Sequence, residues 1–196
     1  MVQGSFFVNP YVPLWCKSHY SFLEGASHPE ELVDRAQSLG IEALALTDRE
    51  GVYGIARAHV RAREAGVRLI TGAEVHLERG DRVALLAMDR EGYGNLCQLI
   101  TRGRRRVPKG QCELTSADVC DFADGLIALA TRPGSIESLV EAFDDRLYAA
   151  VARHRHEQDV EREAELRLAA DRFAVPTVAV TRCSTTPRRG ARCRTS

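Results

Sequence analysis

The sequence predicts an α/β fold, and three observations carry that expectation. Short apolar runs of strand type alternate with stretches of helical period along most of the chain. Capping residues and closing glycines mark the helix ends, as at Ser27 with Glu30, Gly40 and Gly66. About seven strand-type runs are separated in this way, which is the pattern of parallel βα units. Right-handed crossovers would wind such units into a TIM-like barrel. A flat doubly wound sheet fits the same string, so periodicity alone leaves both open.

The elements follow in order. Residues 11–16 read as a short strand. Ser27 and Glu30 form a capping box, and Leu32, Val33, Ala36 and Leu39 give the next helix one apolar face. Residues 43–47 are a buried-type strand, 52–65 a helix and 68–75 a strand. Residues 78–81 form a turn between two apolar runs, 75–77 and 83–86. Helices are expected over 95–106 and 115–122, a strand over 126–130 and a helix over 136–143. A strand over 147–152, a long charged helix over 157–173 and a last strand over 176–181 complete the series. Residues 1–184 form one expected domain. Residues 185–196 are basic, lack apolar periodicity and read as a frayed tail whose composition suggests a truncated or altered terminus.

Composition excludes several classes. A chain of 196 residues, 44% hydrophobic and 28% charged, is ordinary for a soluble globular protein. Lys plus Arg equals Asp plus Glu at 27 each, so any nucleic-acid contact must come from a local patch. The cysteines at 16, 97, 112, 120, 183 and 193 form no Cys-x-x-Cys pair. No secretory signal and no apolar run of ~18 residues is present, so a cytoplasmic chain with reduced thiols and no membrane partner is expected.

Five short pieces carry a family resemblance. They are Ser21-Phe22-Leu23-Glu24-Gly25-Ala26-Ser27, Ala45-Leu46-Thr47-Asp48, Val52-Tyr53-Gly54, Gly72-Ala73-Glu74 and Gly92-Tyr93-Gly94-Asn95-Leu96. Together they resemble the PHP (polymerase and histidinol phosphatase) domain at the front of bacterial C-family DNA polymerases. Trp15-Cys16-Lys17-Ser18 and Pro108-Lys109-Gly110 are most similar to the error-prone branch of that family. The resemblance implies a distorted TIM-like (βα)7 barrel of the PHP type, and a role in repair and translesion synthesis. The remaining polymerase domains are implied partners, with DNA and repair-complex proteins as further candidates.

The resemblance also implies what is missing. The family's first His-x-His pair falls here on Trp15 and Lys17, and its Thr-Asp-His on Thr47-Asp48-Arg49. The glutamate of the third motif is kept as Glu74. A further histidine falls on Arg82, and a late Asp-x-His on Arg182 and Ser184. A zinc or manganese cluster needs neutral imidazoles and carboxylates converging at ~2.0–2.2 Å. Trp15, Lys17, Asp48, Arg49, Glu74 and Arg82 therefore read as a vestigial site with no catalytic residue and no cofactor. Side-chain cations would stand in for the ion, with Lys17 and Arg49 pairing Asp48 and Glu74. The alternative is a metal-dependent phosphoesterase with zinc or manganese in a rebuilt site of Asp48, Glu74 and His76.

Other features weigh less. Arg102, Arg104, Arg105, Arg106 and Lys109 are candidates for phosphate contact. A solvated helix end complementing the helix dipole explains them more simply, and no aromatic residue interleaves with them, so no stacking platform is expected. His154-Arg155-His156 reads as a solvated loop or helix start, and Cys97 and Cys120 as small core residues. No Walker sequence, Gly-x-Ser-x-Gly or polymerase palm motif occurs, so the chain alone is not expected to polymerise DNA.

Overall fold

In the computed structural model, which describes residues 11–152 and 157–183, a single curled sheet organises the chain. Its strands are β1 (Trp15–Cys16), β2 (Ala43–Arg49), β3 (Arg68–His76), β4 (Arg82–Ala87), β5 (Leu126–Ala130), β6 (Leu147–Val151), β7 (Thr177–Ala179) and β8 (Arg182–Cys183). The helices are α1 (Pro29–Ser38), α2 (Ile55–Ala65), α3 (Arg90–Arg106), α4 (Ser116–Asp121), α5 (Pro133–Phe143) and α6 (Glu157–Arg172). The strand order is β7-β6-β5-β4-β3-β2-β1-β8. β7 pairs with β6 at one edge and β8 with β1 at the other. Because β7 and β8 lie on one short stretch, that stretch links the two edges and bends the sheet.

Two expectations need correction. The seven parallel βα units do not all form, because β4 runs antiparallel to both β3 and β5. The cause is the turn at residues 78–81, a 3-10 turn at Glu78–Gly80 that reverses the chain too tightly for a crossover helix. The capping box at α1 also slips by one residue. His28 is the N-cap, its backbone N–H donates to Glu31 at 2.9 Å, and Pro29 takes the first helical position. The first strand is shorter than residues 11–16, α3 begins earlier than residue 95, and β8 has no counterpart among the expected elements. His154-Arg155-His156, Ser184 and the tail 185–196 lie outside the described residues.

Strand alternation sorts the side chains into two layers. Leu44 and Leu46 of β2 pack outward against α1 and α2, with Leu32, Val33 and Ala62. Val83 and Leu85 of β4 pack outward with Leu96, Leu126, Ile136 and Phe143. Ala45, Ala84, Leu86, Leu129 and Ala150 face the inside of the curl together with Trp15 and Val180. The inner layer is rich in alanine because the concave side has less room. Each fully buried leucine of the outer layer contributes ~1.5–3 kcal/mol. Cys97 and Cys120, expected in the core, are only half-buried.

α3 docks through a glycine. A Cβ added at Gly92 would lie 1.9 Å from the Gly125 carbonyl oxygen, whereas one at Gly94 meets nothing within 4 Å. Gly92→Ala is expected to lower stability by ~1–3 kcal/mol through overpacking. Gly94→Ala in the same helix should raise it by up to ~1 kcal/mol through helix propensity. Urea denaturation of both variants checks the contrast.

Candidate functional site

β1, β2 and β3 run parallel, so their ends gather at one end of the curl, where antiparallel β4 begins. The period-two alternation that turns Trp15 inward also turns Lys17 inward, and the same holds for Glu74 with His76 and for Arg82 with Ala84. Trp15, Lys17, Glu74, His76 and Arg82 therefore converge. Glu74 is fully buried and Lys17 is 2% exposed.

Glu74 is surrounded by donors. The Trp15 indole Nε1 donates to its Oε2 at 2.7 Å, and Lys17 Nζ donates to its Oε1 at 2.8 Å. His76 Nε2 lies 3.3 Å and Arg82 Nη1 3.8 Å from the same Oε1. Lys17 Nζ also pairs with Glu24, which burial would push upward in pKa. The hydrogen bond and charge of Lys17 outweigh burial and hold the Glu24 carboxyl below its ordinary value.

Asp48 forms a separate arrangement. It accepts from the Ser18 backbone N–H, the Ser18 hydroxyl and the Ser21 hydroxyl, each at 2.7 Å. Ser21 Oγ in turn accepts from the Arg49 backbone N–H at 2.9 Å. These bonds tie the loop after β1 to the end of β2. Gly25 closes that loop, and a Cβ there would lie 2.0 Å from the Ser18 carbonyl oxygen. The expected pairing of Lys17 and Arg49 with Asp48 and Glu74 holds only for Lys17 with Glu74. Asp48 has the opposite strand parity from the inward residues, and hydroxyls satisfy it instead. The Arg49 side chain is half-exposed, 3.4 Å from Glu24 and 4.0 Å from Glu50.

Glu24, Glu50, Ser18 and Ser21 are the residues that sequence reasoning left out. Glu24 lies inside the Ser21–Ser27 piece already marked by the resemblance, so the signal was present. Glu50 had none. It takes a left-handed backbone (φ 49°), donates its N–H to the Glu74 carbonyl at 2.7 Å and meets His76 Nδ1 through its carboxylate at 2.9 Å. Among the described residues, Glu24, Glu74 and His76 form the group whose ligand atoms all lie within 4.8 Å of one another.

The basic residues of α3 lie elsewhere and are largely engaged. Arg106 makes two contacts to Asp118, one of them at 2.6 Å. Arg102 lies 3.3 Å from Asp118 and 2.5 Å from Asp121. The Arg106 guanidinium, ahead of the Thr115 bonds and Arg102, holds the Asp118 carboxyl far below the usual range. Arg104 donates to the Glu50 carbonyl at 2.6 Å, while Arg105 and Lys109 are exposed.

A family model, the PHP domain, matches residues 14–173, and the chain belongs to that family. The error-prone DNA polymerase of Anaeromyxobacter sp. (strain K) is 45% identical over 189 residues, covering 87% of this chain and 16% of the relative. That of Rhodopirellula baltica is 40% identical over 175 residues, covering 80% and 15%. The chain thus spans about a sixth of these curated relatives. A solved structure of a candidate metal-dependent phosphoesterase from Bifidobacterium adolescentis superposes with a TM-score of 0.65 at 13% identity, covering 88% of this chain and 87% of that one. At that identity the likeness concerns the fold alone. No helix among the described residues is long and apolar enough to cross a membrane.

His76 gives a pH test. Its hydrogen bond to Glu50 and then that to Glu74 outweigh burial and raise its pKa above the ordinary ~6.5. A raised folded pKa contributes stability that is complete below the unfolded pKa and is lost as pH rises through the folded one. His76→Gln should therefore cost more stability at pH ~5.5 than at pH ~9. Urea denaturation at both pH values reads the difference, and an imidazole NMR titration should give a midpoint above ~6.5.

Proposed function

We propose that this chain is the front, PHP-type portion of an error-prone DNA polymerase, built as a distorted (βα)7-like barrel whose site works without metal. Its role is structural. It supports the neighbouring polymerase domains and offers a surface to partners in cytoplasmic repair and translesion synthesis. Identity of 40–45% to named error-prone polymerases supports the parentage. The exposed Arg105 and Lys109 stay candidates for phosphate contact within that assembly.

One observation carries the metal-free reading: Lys17 Nζ sits between Glu24 and Glu74, paired with both. A divalent ion bonding these oxygens at ~2.0–2.2 Å would occupy the space of the ammonium. Trp15 cannot be a ligand either. An indole Nε1–H is a donor only, and here it donates to Glu74. The surviving carboxylates are thus saturated by donors where a metal site needs acceptors aimed at one point. These residues do not fit a bound zinc or manganese ion.

The second reading, a phosphoesterase with a rebuilt site, is favoured by the Glu24, Glu74 and His76 group. Asp48, earlier included in that rebuilt set, is occupied by Ser18 and Ser21. Elemental analysis after purification with zinc and manganese supplied should find far less than one equivalent. Hydrolysis of p-nitrophenyl phosphate should stay at background, because no metal lowers the pKa of a water to ~7. Stoichiometric metal with turnover that Glu74→Ala abolishes would establish the second reading instead.

A further inference from the structure

Folding brings aromatic rings to the basic helix α3, which has none interleaved with its arginines in sequence. The Arg104 guanidinium lies 5.8 Å from the centre of the Tyr53 ring. The Tyr53 and Tyr20 rings are 6.3 Å apart and tilted by 36°. His19 extends the row, 4.4 Å from Tyr20, with His28 a further 4.4 Å from His19. Arg57 stands beside Tyr20, and its side chain is half-exposed.

These rings are open yet held in place. Tyr53 is 60% exposed and Tyr20 37%. A Cβ at Gly51 would lie 2.6 Å from the Tyr53 ring, and one at Gly54 would lie 3.2 Å from the Tyr20 ring. Each tyrosine thus rests on a backbone made flat by glycine. Arg104 is fixed by the Glu50 carbonyl at 2.6 Å, and Arg57 by Glu30 at 2.5 Å. Each guanidinium has five N–H donors, and these contacts use only part of them. Groups already ordered lose little freedom when a ligand arrives.

We propose that Tyr20 and Tyr53, flanked by Arg57 and Arg104, form a binding platform for single-stranded nucleic acid. Unpaired bases stack on the ring faces, which any base can do, and the guanidinium groups take the phosphates. A duplex keeps its base faces stacked inside and has no use for the exposed rings. An apolar polypeptide would leave the guanidinium N–H groups without acceptors, whereas a phosphate chain supplies them along its length. The proposal is independent of the metal-free reading, since it is argued from the ring and guanidinium contacts of these four residues and not from the pairing of Glu74.

Fluorescence anisotropy of the 196-residue chain with a labelled oligothymidylate of about 15 nucleotides tests it. Single-strand binding at low salt is expected, tighter than to a duplex of equal length. Tyr53→Leu, which keeps bulk but removes the aromatic face, should weaken it about tenfold, while Tyr53→Phe should retain it. Arg57→Gln should flatten the plot of log affinity against log salt by about 0.7. No binding at low salt, duplex binding as tight as single-strand binding, or equal affinity of Tyr53→Leu and wild type would each overturn the proposal. Circular dichroism melts of the variants separate loss of binding from loss of fold.

Discussion

The carboxylate of Glu74 is the constraint around which the rest is arranged. It sits on β3 at full burial, and an unpaired charge there would cost several kcal/mol. Four side chains, those of Trp15 and Lys17 from the end of β1, Arg82 from β4 and His76 from β3 itself, meet it. Their shared property is hydrogen-bond donation or positive charge. The curl of the sheet brings these strand ends together, and the pairing of Glu74 in turn fixes where they end. Side-chain donors thus satisfy the buried carboxylate at this end of the fold.

Asp48 performs a second task a few residues away. Its three bonds from Ser18 and Ser21 fold the loop after β1 back across β2. That loop carries Glu24 into the Lys17 pair and begins with His19 and Tyr20, the start of the aromatic row. The buried charges thus set the shape of the exposed surface. The proposed role as a supporting and interacting module follows from this coupling, because a well-ordered rim serves contact even when no reaction occurs beneath it.

Much of the fold was legible in the sequence, for local reasons. Leu126–Ala130 and Glu157–Arg172 stand close to where apolar runs and helical period place them. The antiparallel β4 is half visible: the sequence marks the turn at 78–81, but not the strand direction that follows from it. β8 was invisible, because a two-residue strand has no period. At the site, alternation along β1, β3 and β4 puts Trp15, Lys17, Glu74 and Arg82 on one face, and the sequence carries that. The split of Asp48 from this group, the left-handed Glu50 and the approach of Tyr53 to Arg104 depend on how loops cross strand ends. No spacing rule encodes those contacts.

In the metal-free reading proposed above, the Lys17 ammonium does the electrostatic work of an ion at Glu74. A double-mutant cycle tests it most directly, with urea denaturation of wild type, Lys17→Met, Glu74→Gln and the double variant. Lys17→Met alone removes the ammonium 2.8 Å from the buried Glu74 carboxylate, leaving Trp15, His76 and Arg82 beside it, and a loss of up to roughly 3–5 kcal/mol is expected. The double variant should recover part of that loss, giving a coupling energy well above the ~0.5 kcal/mol seen between independent sites. Strict additivity of the two changes would contradict the claim, since residues that replace an ion between them cannot be energetically independent.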